Sequence, residues 1–239
     1  MKVVGVDGCP SGWVAVTLDD SGWACEVHPT IEALWAAHSD AARVWVDMPI
    51  GLPDTSLRDT EAACRAVLGS RRSSVFSTSP RPVIYAPDYP TAKALSRQLT
   101  GKGMSTQSWC ITPKIRAVDT FLGQNPAARP VMVESHPEVV FWALNGGQPM
   151  AHGKKVKQIG QTERMTVLKC WYPAADDVLA YAKSEFRRKQ VGLDDIVDAL
   201  CLAIGARFER FASLPPSPSQ DSYGLPMQVV YPVIPTETL

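Results

Sequence analysis

Asp7, Asp47 and Glu134 each close a short apolar run: Val3-Val4-Gly5-Val6, Val44-Trp45-Val46 and Val131-Met132-Val133. If those runs are strands lying parallel in one sheet, their acids meet at one edge, which is where open α/β sheets place ligands. Three carboxylates gathered there repel one another unless a cation is present. Oxygen-rich clusters of this kind suit Mg²⁺ or Mn²⁺. A fourth contribution comes from Asp194-Asp195-Ile196-Val197-Asp198-Ala199-Leu200, where Asp195 and Asp198 are three residues apart and share a helix face.

Each acid also has a plainer role. Asp7-Gly8 can start a hairpin turn, Asp47 can end a strand before Met48-Pro49, and Glu134 can favour the N-terminus of the next helix. Asp194 reads as an N-cap and Asp195 as a first-turn acid. Asp198 resists that treatment, because it sits inside an apolar helix. The coincidence of all these placements favours a metal site.

The elements that must position these acids follow from pattern and turn chemistry. Residues 2–7, 13–18 and 23–28 read as three strands of an antiparallel meander, separated by Gly8-Cys9-Pro10-Ser11-Gly12 and Asp19-Asp20-Ser21-Gly22. Thr30 can cap a helix over 30–37, and a fourth strand covers 44–46. Residues 52–130 read as a mostly helical insertion, with helices over 57–68, 91–99 and 113–122 and an irregular, proline-rich stretch over 71–90. A strand over 131–133 precedes helices over 137–144, 161–171, 174–186 and 194–211. A Pro-rich tail covers 213–239, within which 228–231 reads as an edge strand. The expected whole is a single α/β domain.

Composition narrows the function. Hydrophobic residues make up 45% and charged residues 20% of the 239, an ordinary globular balance. No apolar run is long enough to span a bilayer, so no membrane partner is expected. The start lacks a signal peptide's pattern, so the cytoplasm is the expected location, with the six scattered cysteines as reduced thiols. A formal charge of zero excludes nucleic-acid binding by bulk electrostatics, so any polyanion must be held by a local patch. Arg71, Arg72, Ser74 and Arg81 offer cations beside hydroxyls, and Lys114 offers another. His136 lacks metal-ligand spacing and either orients Glu134, contacts a phosphate or has a hydrogen-bonded structural role. The run Lys154-Lys155-x-Lys157 reads as a solvated loop.

The segments Val4-Gly5-Val6-Asp7-Gly8-Cys9, Asp47-Met48-Pro49-Ile50-Gly51-Leu52-Pro53, Arg71-Arg72-Ser73-Ser74-Val75-Phe76-Ser77-Thr78, Glu134-Ser135-His136-Pro137-Glu138 and Asp194-Asp195-Ile196-Val197-Asp198-Ala199 carry a resemblance. Together they resemble a family catalogued as domain of unknown function four-two-nine, described as predicted nucleases of the ribonuclease H-like superfamily. The likeness runs from residue 3 to about residue 205. It implies a mixed sheet, a three-stranded antiparallel meander continued by parallel strands and flanked by helices. It also implies two divalent ions held by Asp7, Asp47 and Asp198, with Asp195 as neighbour and Glu134 as the narrower family's own addition. The implied activity is two-metal hydrolysis of a nucleic acid, DNA or RNA. Two other readings stay open. One is an actin-like or sugar-kinase-like enzyme that binds nucleotide phosphate, although Asp7-Gly8-Cys9 departs from that group's Asp-x-Gly. The other is a non-catalytic module that binds nucleic acid or protein.

Overall fold

The computed structural model describes residues 1–153 and 157–235. Lys154 and Lys155 of the lysine run, and residues 236–239 of the tail, lie outside the described residues. Val3–Cys9 (β1), Gly12–Asp19 (β2) and Gly22–His28 (β3) form the expected antiparallel meander. Cys9 pairs with Gly12 across Pro10-Ser11, and Gly12 takes φ 127°, a conformation open to glycine and strained for other residues. Ile31–His38 (α1), capped by the Thr30 side chain, leads to Arg43–Val46 (β4). β4 lies parallel to β1, and Met132–Glu134 (β5) lies parallel to β4. The result is a five-stranded mixed sheet in the order β3-β2-β1-β4-β5, the arrangement the ribonuclease H-like resemblance implies.

Between β4 and β5 the chain forms Asp59–Leu68 (α2), Arg81–Ile84 (α3), Tyr89–Thr100 (α4) and Thr106–Gln124 (α5). After β5 come Pro137–Leu144 (α6), Lys157–Trp171 (α7), Ala175–Glu185 (α8) and Leu193–Ala206 (α9). Residue alternation sorts the two faces of the sheet. Val4 and Val6 join a core with Ile31, Leu34, Ile115 and Leu122 of α1 and α5, whereas Val3 and Cys9 join α6, α8 and α9. Among the described residues no helix is long and apolar enough to cross a membrane. All six cysteines are free thiols.

Several elements differ from expectation: α3 is a short helix inside the stretch read as irregular, α7 opens on Lys157 of the run read as a loop, and three further departures have identifiable reasons. α5 begins at Thr106 and runs straight through Pro113. The carbonyl of Trp109, which a residue with an N–H would use at position 113, instead accepts from Thr112 Oγ1 at 2.9 Å. α9 stops at Ala206, before the expected 211, because Phe211–Leu214 (β6) is already a strand. The apolar spacing misleads there: Phe208 still packs on Trp171, with ring centroids 5.3 Å apart, but from a turn. Val229–Pro232 (β7) does return as a strand, yet it pairs with β6 in a separate two-stranded sheet and meets β5's end through a bridge from Ser135 to Val230, whose carbonyl also accepts from Ser135 Oγ at 2.8 Å.

α9 crosses β1 at Gly5. A Cβ placed there would stand 2.0 Å from the carbonyl oxygen of Ala199 and 2.3 Å from the backbone nitrogen of Ala203. At the far end of α9, a Cβ on Gly205 would meet the Trp45 ring at 2.8 Å. Small residues at both points let the helix backbone lie directly on the strands. Gly5 and Asp7 face the same side of β1, so this contact also sets how near α9 brings its acids to Asp7. Gly5→Ala is therefore expected to cost about 3 kcal/mol or more by forcing backbone apart. Gly123→Ala, whose new methyl meets nothing closer than 3.8 Å, should be neutral or mildly stabilising. Urea denaturation of both variants checks this, and equal stability for the two would contradict it.

Candidate metal centre

Asp7 lies on β1 and Asp47 immediately follows β4. The β1–β4 pairing continues past the strand, since the Asp47 N–H donates to the Val6 carbonyl at 2.9 Å. The two partly buried acids are thus adjacent at one sheet edge. Asp198 comes from the second turn of α9 and is only 1% exposed. Asp7, Asp47 and Asp198 each offer a carboxylate oxygen, and these oxygens all lie within 4.8 Å of one another. Asp7 is further fixed by its Oδ1, which accepts the Gly8 N–H at 2.6 Å. Three carboxylate oxygens gathered in this way could hold a metal ion.

Asp195 stands one turn before Asp198 on the same helix. Its Oδ2 accepts the Gly192 N–H at 3.0 Å, so it closes the N-terminal turn of α9. Asp194 does not cap the helix; Gly192 is the N-cap, two residues earlier than expected. Lys114, from α5, crosses over Gly8, whose absent side chain would meet the lysine's methylenes at 2.7 Å. Its ammonium donates to the Gly12 carbonyl, sits 4.7 Å from the Trp13 ring and faces Asp7 and Asp195 electrostatically. Burial lowers its pKa, and Cys9, Asp7 and Asp195 oppose that shift.

Glu134 stands outside the group of three. It is buried at the end of β5, where its oxygens accept from Arg58 Nη1 at 2.7 Å and Nη2 at 2.8 Å. Its Oε2 also accepts the Ile50 N–H at 2.7 Å. Arg58 in turn donates to Glu61 at 2.6 Å and to the Ile50 carbonyl at 3.0 Å. This buried triad shapes the loop that follows Asp47. Nothing in the spacing of Arg58 and Glu134, 76 residues apart, announces the pair.

A second buried group flanks the acids. Glu138 accepts from Arg71 Nε at 2.8 Å and from Arg164 Nη2 at 2.7 Å. Burial pushes its carboxyl up, but the two guanidinium groups outweigh this and hold it below the ordinary range. The buried thiol of Cys201 has Asp198, Arg164, Glu138 and Asp47 as its charged neighbours, which places this group beside the centre. Arg71 therefore lies near the acids but is engaged by Glu138, and Ser74 Oγ donates to the Arg71 carbonyl at 2.8 Å. Arg72 is exposed. His136 caps α6, its Nδ1 accepting the Glu138 N–H at 3.2 Å.

Arg81 ties the helical segment to the tail. It pairs with Asp119 at 3.0 Å, with Asp221 and with Ser222 at 2.8 Å, under the Tyr223 ring at 3.9 Å.

Residues 5–220 match the sequence profile of a family described as a protein of unknown function, DUF429, and the chain belongs to that family. No curated protein and no solved structure gives a significant match.

The two buried ion groups generate separate expectations. Arg58→Met leaves two buried carboxylates without their cation and should cost about 3–5 kcal/mol, part of which Arg58→Met combined with Glu134→Gln should recover. Denaturant titration of the single and double variants checks this; strict additivity would contradict it. Glu138, with its pKa lowered in the fold, contributes stability in full above about 4.5, its unfolded value, and loses it as pH falls through the lower folded value. Glu138→Gln should be less stable than the parent at pH 7 and lose less stability on acidification. Urea midpoints from pH 7 to pH 3 give the comparison, and parallel curves would refute it.

Proposed function

We propose that this family member is a nuclease that hydrolyses phosphodiester bonds of a nucleic acid with the aid of Mg²⁺ or Mn²⁺. The observation that carries the reading is the convergence of Asp7, Asp47 and Asp198, from two parallel strands and the helix crossing them, to within 4.8 Å. That donor set is all carboxylate and suits hard divalent ions. Asp7, Asp47 and Asp198 would hold them, and Asp195, one turn away, could extend the set to a second ion. When bound, such ions supply Lewis acidity to the attacking water and to the phosphoryl group.

The remaining residues have roles of their own. The contact of α9 with β1 fixes Asp198 without a flexible arm, so the carboxylates are oriented before any ligand arrives. Lys114 brings a cation to the Asp7 side of the edge, where it can meet a phosphate oxygen. Arg72, exposed after α2, offers a second contact for the backbone of a nucleic acid. With a formal charge of zero, binding rests on these local cations, and it should therefore weaken with salt only modestly.

The test is cleavage of labelled single-stranded DNA, duplex DNA and RNA by the full chain, with Mg²⁺, with Mn²⁺ and with chelator. Metal-dependent cleavage is expected on at least one substrate. Asp7→Asn should lower it at least about 100-fold, because even second-shell substitutions at metal sites cost 10–100-fold. The variant should keep the parent's circular dichroism. Cleavage undiminished in Asp7→Asn would assign the activity to a contaminant and overturn the reading.

A further inference from the structure

Two of the chain's four histidines meet on the side of the sheet away from α9. Across the β2–β3 pairing, His28 lies opposite Trp13 and Glu26 opposite Ala15. Trp13 and Ala15 belong to the core that contains Ile31 and Leu34 of α1, so Glu26 and His28 share that face. His38, the last residue of α1, reaches back to them. The Nε2 atoms of His28 and His38 are 3.1 Å apart, and the rings stand nearly perpendicular at 87°. Glu26 Oε2 lies 3.7 Å from His38 Nε2. One ligand atom from each residue falls within 4.8 Å of the other two.

A hydrogen bond between the rings leaves one nitrogen of the pair unsatisfied. Only one proton fits between the two Nε2 atoms. If His28 supplies it, His38 must carry its own proton on Nδ1. If His38 supplies it, Nδ1 is a bare lone pair. In both cases His38 Nδ1 is buried with no hydrogen-bond partner among the described residues. His38 is 2% exposed and His28 9%, and such burial favours neutral rings with lone pairs available. A cation held by both Nε2 atoms and by Glu26 would add binding free energy to the fold.

We propose that Glu26, His28 and His38 form a Zn²⁺ site that pins the end of α1 to the outer strand β3. Two imidazoles and one carboxylate are a three-ligand zinc donor set, with a fourth position left for water. Zinc–nitrogen bonds of 2.0–2.1 Å put two ligands of a tetrahedral ion roughly 3.3 Å apart, close to the 3.1 Å between these nitrogens. The Glu26 side chain is 52% exposed, which gives the ion a route in from solvent. The mixed nitrogen and oxygen donors separate this site from the all-oxygen centre on the other face, which prefers harder ions. The proposal does not rest on the nuclease reading.

The test uses the full chain with the exposed thiols removed as Cys110→Ser and Cys170→Ser, stripped of metal and held in millimolar Mg²⁺ to occupy the carboxylate centre. Calorimetric titration with Zn²⁺ should give one ion per chain and a raised Tm. Co²⁺ in its place should give the visible absorption bands of a four-coordinate ion. Glu26→Gln, a largely exposed change that leaves the core alone, should weaken Zn²⁺ binding at least tenfold. His28→Gln should abolish both the binding and the Co²⁺ bands. Absence of Zn²⁺ uptake by the parent, or uptake unaltered in Glu26→Gln, would overturn the proposal.

Discussion

Where α9 crosses β1, the helix backbone rests on Gly5 with no side chain between them. Most helices pack on sheets through a layer of side chains, which keeps the two backbones apart. Here that layer is missing at one point, and the consequence reaches the rest of the molecule. Asp198 arrives close enough to Asp7 and Asp47 for their oxygens to share one small volume. The same approach explains the alanines at 199 and 203 and the glycine at 205, where Trp45 presses against the helix. A larger residue at Gly5 would lift α9, and the acid on it would leave the sheet edge.

Around that contact the chain handles its buried charge in two ways. Glu134 and Glu138 each receive guanidinium partners, so they act as fixed, neutralised braces beneath the loop after Asp47 and the start of α6. Asp7, Asp47 and Asp198 are gathered with one another, an arrangement whose mutual repulsion a divalent ion would relieve. Six carboxylates of similar appearance in sequence thus have different roles, decided by what the fold brings to them. Asp195 belongs between the two groups, since it closes the first turn of α9 while standing one turn from Asp198.

Much of this was legible in the residues. The meander, the parallel strands and the helix carrying Asp198 follow from alternation, turn glycines and apolar spacing, and so does the meeting of Asp7, Asp47 and Asp198. What escaped was long-range pairing. Glu134 ends a strand just as Asp47 does, and only the position of Arg58 distinguishes them. Arg81 looked like a phosphate contact because its partners Asp119 and Asp221 are far along the chain. The passage of α5 through Pro113 depended on a side chain replacing a backbone donor, which periodicity does not encode. Gly5 carried a signal, a glycine in the middle of a β-branched run, but its meaning required the helix above it.

The proposed function requires Asp7, Asp47 and Asp198 to be joint ligands of one metal centre. Anomalous diffraction from crystals of the chain equilibrated with Mn²⁺ tests it most directly. A Mn²⁺ peak bonded to oxygens of all three aspartates, with none at Glu134, is the expected result. Saturating Mn²⁺ with no peak between these carboxylates, or a peak centred on Glu134 and Glu61, would contradict it.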